Sequence, residues 1–259
     1  MDPRESRFHH YSDLDTASEA AARAIARTLI NAVKVRSAAS LVLAGGSTPR
    51  SIHAHLAGPE LSPAIPWHLV HLFWGDERCV PPDDATSNYA MAKTTLIDLI
   101  EIPLENIHRI HGELPPPEGA ALYEAELRRH LGGGGPPAFD CIMLGMGADG
   151  HTASLFPGDP LLEETERFVG VTDGRRASPP VPRISLTLPA LNGARNVVFA
   201  VSGKSKRRVV REIEEQVEGS RRYPAARVRC ADSTVWFIAV DNSPGTNSRS
   251  LTPTPPDRS

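Results

Sequence analysis

Short apolar runs alternate along this chain with longer stretches in which apolar residues recur every three or four positions. The runs at 40–43, 68–73, 139–144, 196–201 and 235–240 have the length and continuous apolar character of strands buried in a parallel sheet. Between them, 18–37 carries Ile25, Leu29 and Val33 at four-residue spacing, the pattern of a helix covering one side of such a sheet. Ser47, Thr48 and Pro49 read as a helix start. Another helix is expected from a cap at Thr86 or Ser87 through Ile100, with Tyr89, Ala92, Leu96 and Leu99 inward. A further one at 118–131 turns Tyr123, Leu127 and Leu131 inward, and the last, after the turn at 202–208, does so with Val210, Ile213 and Val217. Ile184, Leu186 and Leu188 alternate after Arg183 as in a short strand, whereas 168–182 reads as polar, turn-rich chain. Strand and helix in alternation mean an α/β sandwich around a mostly parallel sheet.

The run GGGGPP at 132–137 is the best candidate boundary, yet the strand beyond it matches its predecessors, so 1–242 is expected to form one domain. Residues 243–259, rich in Pro, Ser and Thr, are expected to be disordered. A net charge of −3, with 28 basic residues spread along the chain, leaves no footprint for nucleic acid. Cys79, Cys141 and Cys230 lie far apart without a CxxC pair, which fits reduced thiols, and neither a disulfide nor a zinc site is expected. No apolar run approaches the ~18 residues of a spanning helix, and no secretory signal opens the chain. No membrane partner and a cytoplasmic location are therefore expected.

The candidate chemistry lies where the runs end. After 139–144 the chain reads GMGADGH, placing Asp149 and His151 in a glycine turn at a strand's C-terminal end, where open α/β sheets bind ligands. Histidine titrates near neutrality, so His151 suits a general base and Asp149 can orient it. Gly45, Gly46, Ser47 and Thr48 form a strand-to-helix turn whose free amides attract anions, although no Walker lysine follows. Asp76, Glu77 and Arg78 stand together after 68–73, and Lys204 and Lys206 follow 196–201. His9 and His10 are read as part of a floppy N-terminus, and His53, His55, His68 and His71 are given no role. Gly-x-Ser-x-Gly is absent, so water is the expected nucleophile. Asp149 and His151 supply two ligands where a catalytic metal needs three, so no metal is expected.

Taken together, LAGGSTP at 43–49, DERCVPPDDATSNY at 76–89, LGMGADGHTASLFPG at 144–158, Arg183 with ISLTLPALN, and the Gly203-x-x-Lys206 turn resemble the 6-phosphogluconolactonases. The resemblance runs over roughly residues 15 to 240. It implies a Rossmann-like fold shared with glucosamine-6-phosphate deaminases, no cofactor, and hydrolysis of 6-phosphoglucono-δ-lactone in the pentose phosphate pathway. Functional coupling to glucose-6-phosphate dehydrogenase goes with that implication. The alternative is a deaminase, but deaminases usually have Tyr where Arg78 stands and Glu-Pro where Phe156-Pro157 stands, while Asp76 keeps the position of their base. A silent sugar-phosphate-binding module is a third reading. Within the lactonase reading, His151, Asp149 and Arg78 are the catalytic candidates. Gly45, Gly46, Ser47, Thr48, Arg50, Asp76, Arg183 and Lys206 are the substrate-binding ones. Asp84 and Thr86 depart from the His and the acid that many lactonases carry there.

Overall fold

An aspartate cap and a left-handed stop delimit the first helix. The Asp13 carboxylate accepts the Thr16 amide at 2.8 Å, and Ser37, at φ 62°, returns its N–H to Val33, so α1 spans Leu14–Arg36. The computed structural model describes residues 6–132 and 135–240. Its strands are β1 (Arg7–His10), β2 (Ala39–Leu43), β3 (Val70–Trp74), β4 (Asp76–Arg78), β5 (Cys141–Leu144), β6 (Val169–Thr172), β7 (Arg183–Leu186), β8 (Asn196–Ser202) and β9 (Ser233–Ala239). The remaining α-helices are α2 (Ser47–Ala57), α3 (Asn88–Thr95), α4 (Pro116–Leu131), α5 (Leu188–Asn192) and α6 (Arg207–Glu214).

Six strands make one sheet in the order β1-β9-β8-β5-β2-β3, and every pairing in it is parallel. Every residue of β2 and β5 is buried, as expected where helices cover both faces. Trp74 meets Tyr89 of α3 on the face where α1, α2 and α3 pack. His71 and Phe73, on the opposite face, meet His130 of α4. The result is a Rossmann-like three-layer α/β sandwich. From β2 the chain moves outward to β3, and from β5 it moves the other way to β8 and β9. The order thus reverses between β2 and β5, which opens a crevice beyond their carboxyl ends.

Several expectations are corrected. The N-terminal histidines are in β1, pinned by pairing with β9, by stacking of Phe8 on Trp236 at 5.4 Å, and by His10 Nε2 lying 3.0 Å from Glu214. Residues 76–78 form a strand of their own: β4, β7 and β6 make a second, antiparallel sheet, and β6 lies in the stretch read as turn-rich. Helix α3 ends at Thr95 and a 3-10 turn follows, leaving Leu99 exposed; Val217 is also exposed, beyond the end of α6. No helix among the described residues is long and apolar enough to cross a membrane. The stretch 243–259 and the middle of the glycine run lie outside the described residues.

Edge strand β3 is finished by a side chain. Tyr123 Oη accepts the Trp74 N–H and donates to the Trp74 carbonyl, both at 2.9 Å, and the hydroxyl is fully buried. Tyr123→Phe leaves two buried backbone groups without partners, so denaturant unfolding should show a loss of about 1–3 kcal/mol.

Candidate active site

The turn after β5 is built by backbone closure around an imidazole. Gly147 N–H donates to the His151 carbonyl at 2.9 Å, and the Thr152 hydroxyl to the Gly145 carbonyl at 2.8 Å. His151 Nδ1 is 2.6 Å from Asp149 Oδ1, and the imidazole lies against Phe156 with centroids 4.5 Å apart. Burial alone would push the Asp149 carboxyl up, but its hydrogen bond to the His151 ring holds it below its ordinary value. An ionised Asp149 accepts from Nδ1–H, which leaves the lone pair of the neutral ring on Nε2. Position 147 admits no side chain, since a Cβ there would fall 2.2 Å from His151 Cε1.

The turn after β2 delivers the N-terminus of α2. Gly46 is its N-cap, no side chain caps it, and no acid occupies its first turn, so its leading amides stay available to an anion. The Thr48 hydroxyl is 2.8 Å from that of Ser202, tying this helix start to the end of β8. Gly45 lies tight against Asn88: a Cβ there would sit 1.8 Å from Asn88 Oδ1.

Strand β4 supplies the charges. Register places Arg78 directly opposite Arg183 and Asp76 opposite Ser185. Two guanidiniums facing each other across a ladder repel, and the Nε of each is buried without a hydrogen-bond partner. Burial lowers the affinity of Arg183 for its proton; Asp76 opposes this and Arg78 adds to it. Asp76, itself buried, accepts from the Ser154 hydroxyl at 2.6 Å. Glu77 accepts the amides of Arg78, Asn88 and Tyr89 at 2.7–2.8 Å and the Ser87 hydroxyl at 3.0 Å. Burial pushes the Glu77 carboxyl up, against the pull of those amides. The Arg78 guanidinium donates to the Thr86 carbonyl, and Asp84 closes a turn on the Thr86 amide and hydroxyl at 2.7 and 2.6 Å. Asp84 and Thr86 thus act on Arg78 and do not themselves reach the cleft wall.

These turns enclose a cleft of about 260 Å³ lined by Gly45, Gly46, Ser47, Thr48, Asp76, Arg78, His151, Arg183 and Lys206. Asp149 stands behind His151, and Arg50 is exposed on α2, off the cleft wall. Burial lowers the proton affinity of Lys206. Sequence reasoning missed Asn88, which lines the cleft and donates to the Asp76 carbonyl at 2.8 Å, and Ser154 and Phe156, which set Asp76 and His151. The available signal was position: Asn88 lies inside one resembling motif, Ser154 and Phe156 inside another.

The family model for glucosamine-6-phosphate isomerases/6-phosphogluconolactonase matches residues 12–236. The chain belongs to that family. Within it, a 6-phosphogluconolactonase from Synechocystis sp. is 38% identical over 85% of this chain and 89% of its own length. A 6-phosphogluconolactonase from Homo sapiens is 39% identical over 77% of each chain. The solved structure of a 6-phosphogluconolactonase from Trypanosoma brucei superposes with a TM-score of 0.80 at 29% identity, over 90% of this chain and 96% of that one. A monomeric glucosamine-6-phosphate deaminase shares the fold, with a TM-score of 0.74 at 21% identity over 90% of this chain and 97% of its own. For this member of the family, Gly147→Ala drives a methyl group into the His151 ring. It should leave the secondary structure by circular dichroism intact while lowering turnover on the order of 10²-fold, the cost expected when the side chain proposed below to act in the chemistry is displaced by about an ångström.

Proposed function

We propose that this chain hydrolyses 6-phosphoglucono-δ-lactone to 6-phosphogluconate in the oxidative pentose phosphate pathway, using water activated by His151. The observation that carries the reading is His151, held from behind by Asp149, on the wall of the same cleft as two opposed arginines and the open N-terminus of α2. His151 Nε2 takes a proton from water as the water oxygen bonds to the lactone carbonyl carbon. The tetrahedral oxyanion then collapses with cleavage of the bond to the ring oxygen, and the imidazolium returns the proton to that oxygen. Asp149 holds the ring and balances its transient charge. Arg78 and turn amides contact the carbonyl oxygen or sugar hydroxyls as negative charge develops, and Asp76 accepts from a hydroxyl. The Ser47 and Thr48 amides, Arg183 and Lys206 take the phosphate. Neither a metal nor a cofactor enters these steps. A cytoplasmic location and coupling to glucose-6-phosphate dehydrogenase, the source of the lactone, belong to the same reading.

Against a deaminase, the ring beside His151 is Phe156, which carries no proton to open a sugar. The test generates the lactone in situ from glucose 6-phosphate and follows 6-phosphogluconate with its dehydrogenase, subtracting spontaneous opening, while a parallel cell reads ammonia from glucosamine 6-phosphate. Lactone turnover above background without ammonia is expected. Ammonia release would install the deaminase with Asp76 as base, and silence in both cells a binding module.

Lys206 makes the phosphate assignment pH-sensitive. Burial lowers its pKa from the ordinary 10.5, whereas a bound phosphate dianion stabilises the charged form and raises it. Affinity for 6-phosphogluconate should therefore fall as pH rises through the lowered Lys206 pKa, with proton uptake on binding in that window. Calorimetry in buffers of different ionisation enthalpy reads that uptake; Lys206→Arg should abolish it, and uptake surviving in the variant would take Lys206 out of the phosphate site.

A further inference from the structure

Three imidazoles converge on the opposite face of β3 from α2 and α3, apart from the cleft. They are His71 of β3, His108 just beyond the 3-10 turn Leu104–Asn106, and His130 near the end of α4. A ring nitrogen from each lies within 4.8 Å of the other two. His71 Nδ1 is 2.9 Å from His108 Nε2, and the His108 and His130 ring centroids are 4.0 Å apart. On its other side, His108 Nδ1 is 2.8 Å from Glu126 Oε1. His130 Nε2 is 3.1 Å from the same oxygen but lacks hydrogen-bond geometry, which leaves it a buried nitrogen without a hydrogen-bond partner. Phe73 covers the His108 ring at 4.5 Å, so the cluster has an apolar floor.

We propose that His71, His108 and His130 form a binding site for a divalent transition metal of the zinc type. Imidazole nitrogens select zinc, copper and nickel over magnesium or calcium, and three histidines with an open fourth position are an established zinc donor set. Glu126 accepts from His108 Nδ1–H, which turns Nε2 towards the metal; a carboxylate behind a ligating histidine is the usual means of fixing that tautomer. The metal replaces the proton shared between His71 Nδ1 and His108 Nε2. That proton moves to His71 Nε2, so no ring changes charge, three metal–nitrogen bonds form and water fills the fourth position. Two tetrahedral zinc ligands stand about 3.3 Å apart, so the 2.9 Å pair opens by a few tenths of an ångström. The bound ion fastens β3, the segment after Asn106 and α4 to one another, making it a structural clasp independent of lactone hydrolysis.

The test uses the full-length protein, stripped with a chelator and titrated with Zn²⁺ alone by calorimetry, with metal analysis after dialysis. One Zn²⁺ per chain and a raised melting temperature are expected, and Co²⁺ should give the intense visible bands of a four-coordinate ion. Glu126→Gln should weaken Zn²⁺ binding about 10–100-fold. His130→Ala, on a half-buried helix position, should weaken it further while preserving the circular dichroism spectrum and lactone turnover. His151→Ala should leave Zn²⁺ binding unchanged. Absence of binding at micromolar metal, or binding that survives His130→Ala and disappears in His151→Ala, would overturn the proposal.

Discussion

Two arginines paired across a β ladder set the constraint that the rest of this site answers. Arg78 and Arg183 are cross-strand partners, and their Nε atoms are buried without acceptors. The arrangement exists because Gly75 turns the chain out of β3 and its carbonyl accepts the Leu186 amide at 2.8 Å, which brings β4 alongside β7. Asp76 and Glu77 beside them oppose the repulsion at Arg183, and both acids are held in place by hydrogen bonds. Glu77 is committed to three amides and the Ser87 hydroxyl, and Asp76 to Ser154 and Asn88. The open amides of α2 and Lys206 lie on the same cleft, and a phosphate bound there, as proposed, would relieve the repulsion between the two arginines.

The site is joined together by backbone approach. Gly45 rests on Asn88 and Gly147 on the His151 ring, at separations no side chain could occupy. The β2 turn is thereby locked to α3, and the β5 turn to its own histidine. Under the proposed mechanism this rigidity matters, because a base that must meet a water and a carbonyl carbon at once depends on positioning for a large share of the barrier.

The parallel core was readable because buried strands and covering helices leave strong periodicities: the runs ending at Leu43, Leu144 and Val201 fall in β2, β5 and β8. The small antiparallel sheet was not. Strand β4 is three residues of charge, and β6 is four residues within a polar stretch; neither is long enough to show alternation, and both exist through pairing with β7. Exposure of Leu99 and Val217 likewise follows from helices that stop short of their apolar pattern. Most of the candidate cleft was legible, since glycines and charges at strand ends mark turns. Arg50 was not, because a helix position next to an anion loop says nothing about which way the side chain faces. The roles of Asn88, Ser154 and Phe156, and the meeting of His71 with His108 and His130, depend on contacts between distant segments that no local pattern encodes.

The central claim is that the imidazole held by Asp149 moves the proton. The most direct measurement is lactone turnover by His151→Ala, with spontaneous opening subtracted, alongside calorimetric binding of 6-phosphogluconate to the same variant. Turnover lower by about 10²- to 10⁴-fold, with the affinity for 6-phosphogluconate retained, is the predicted result. Undiminished turnover would remove His151 from the chemistry and contradict the account.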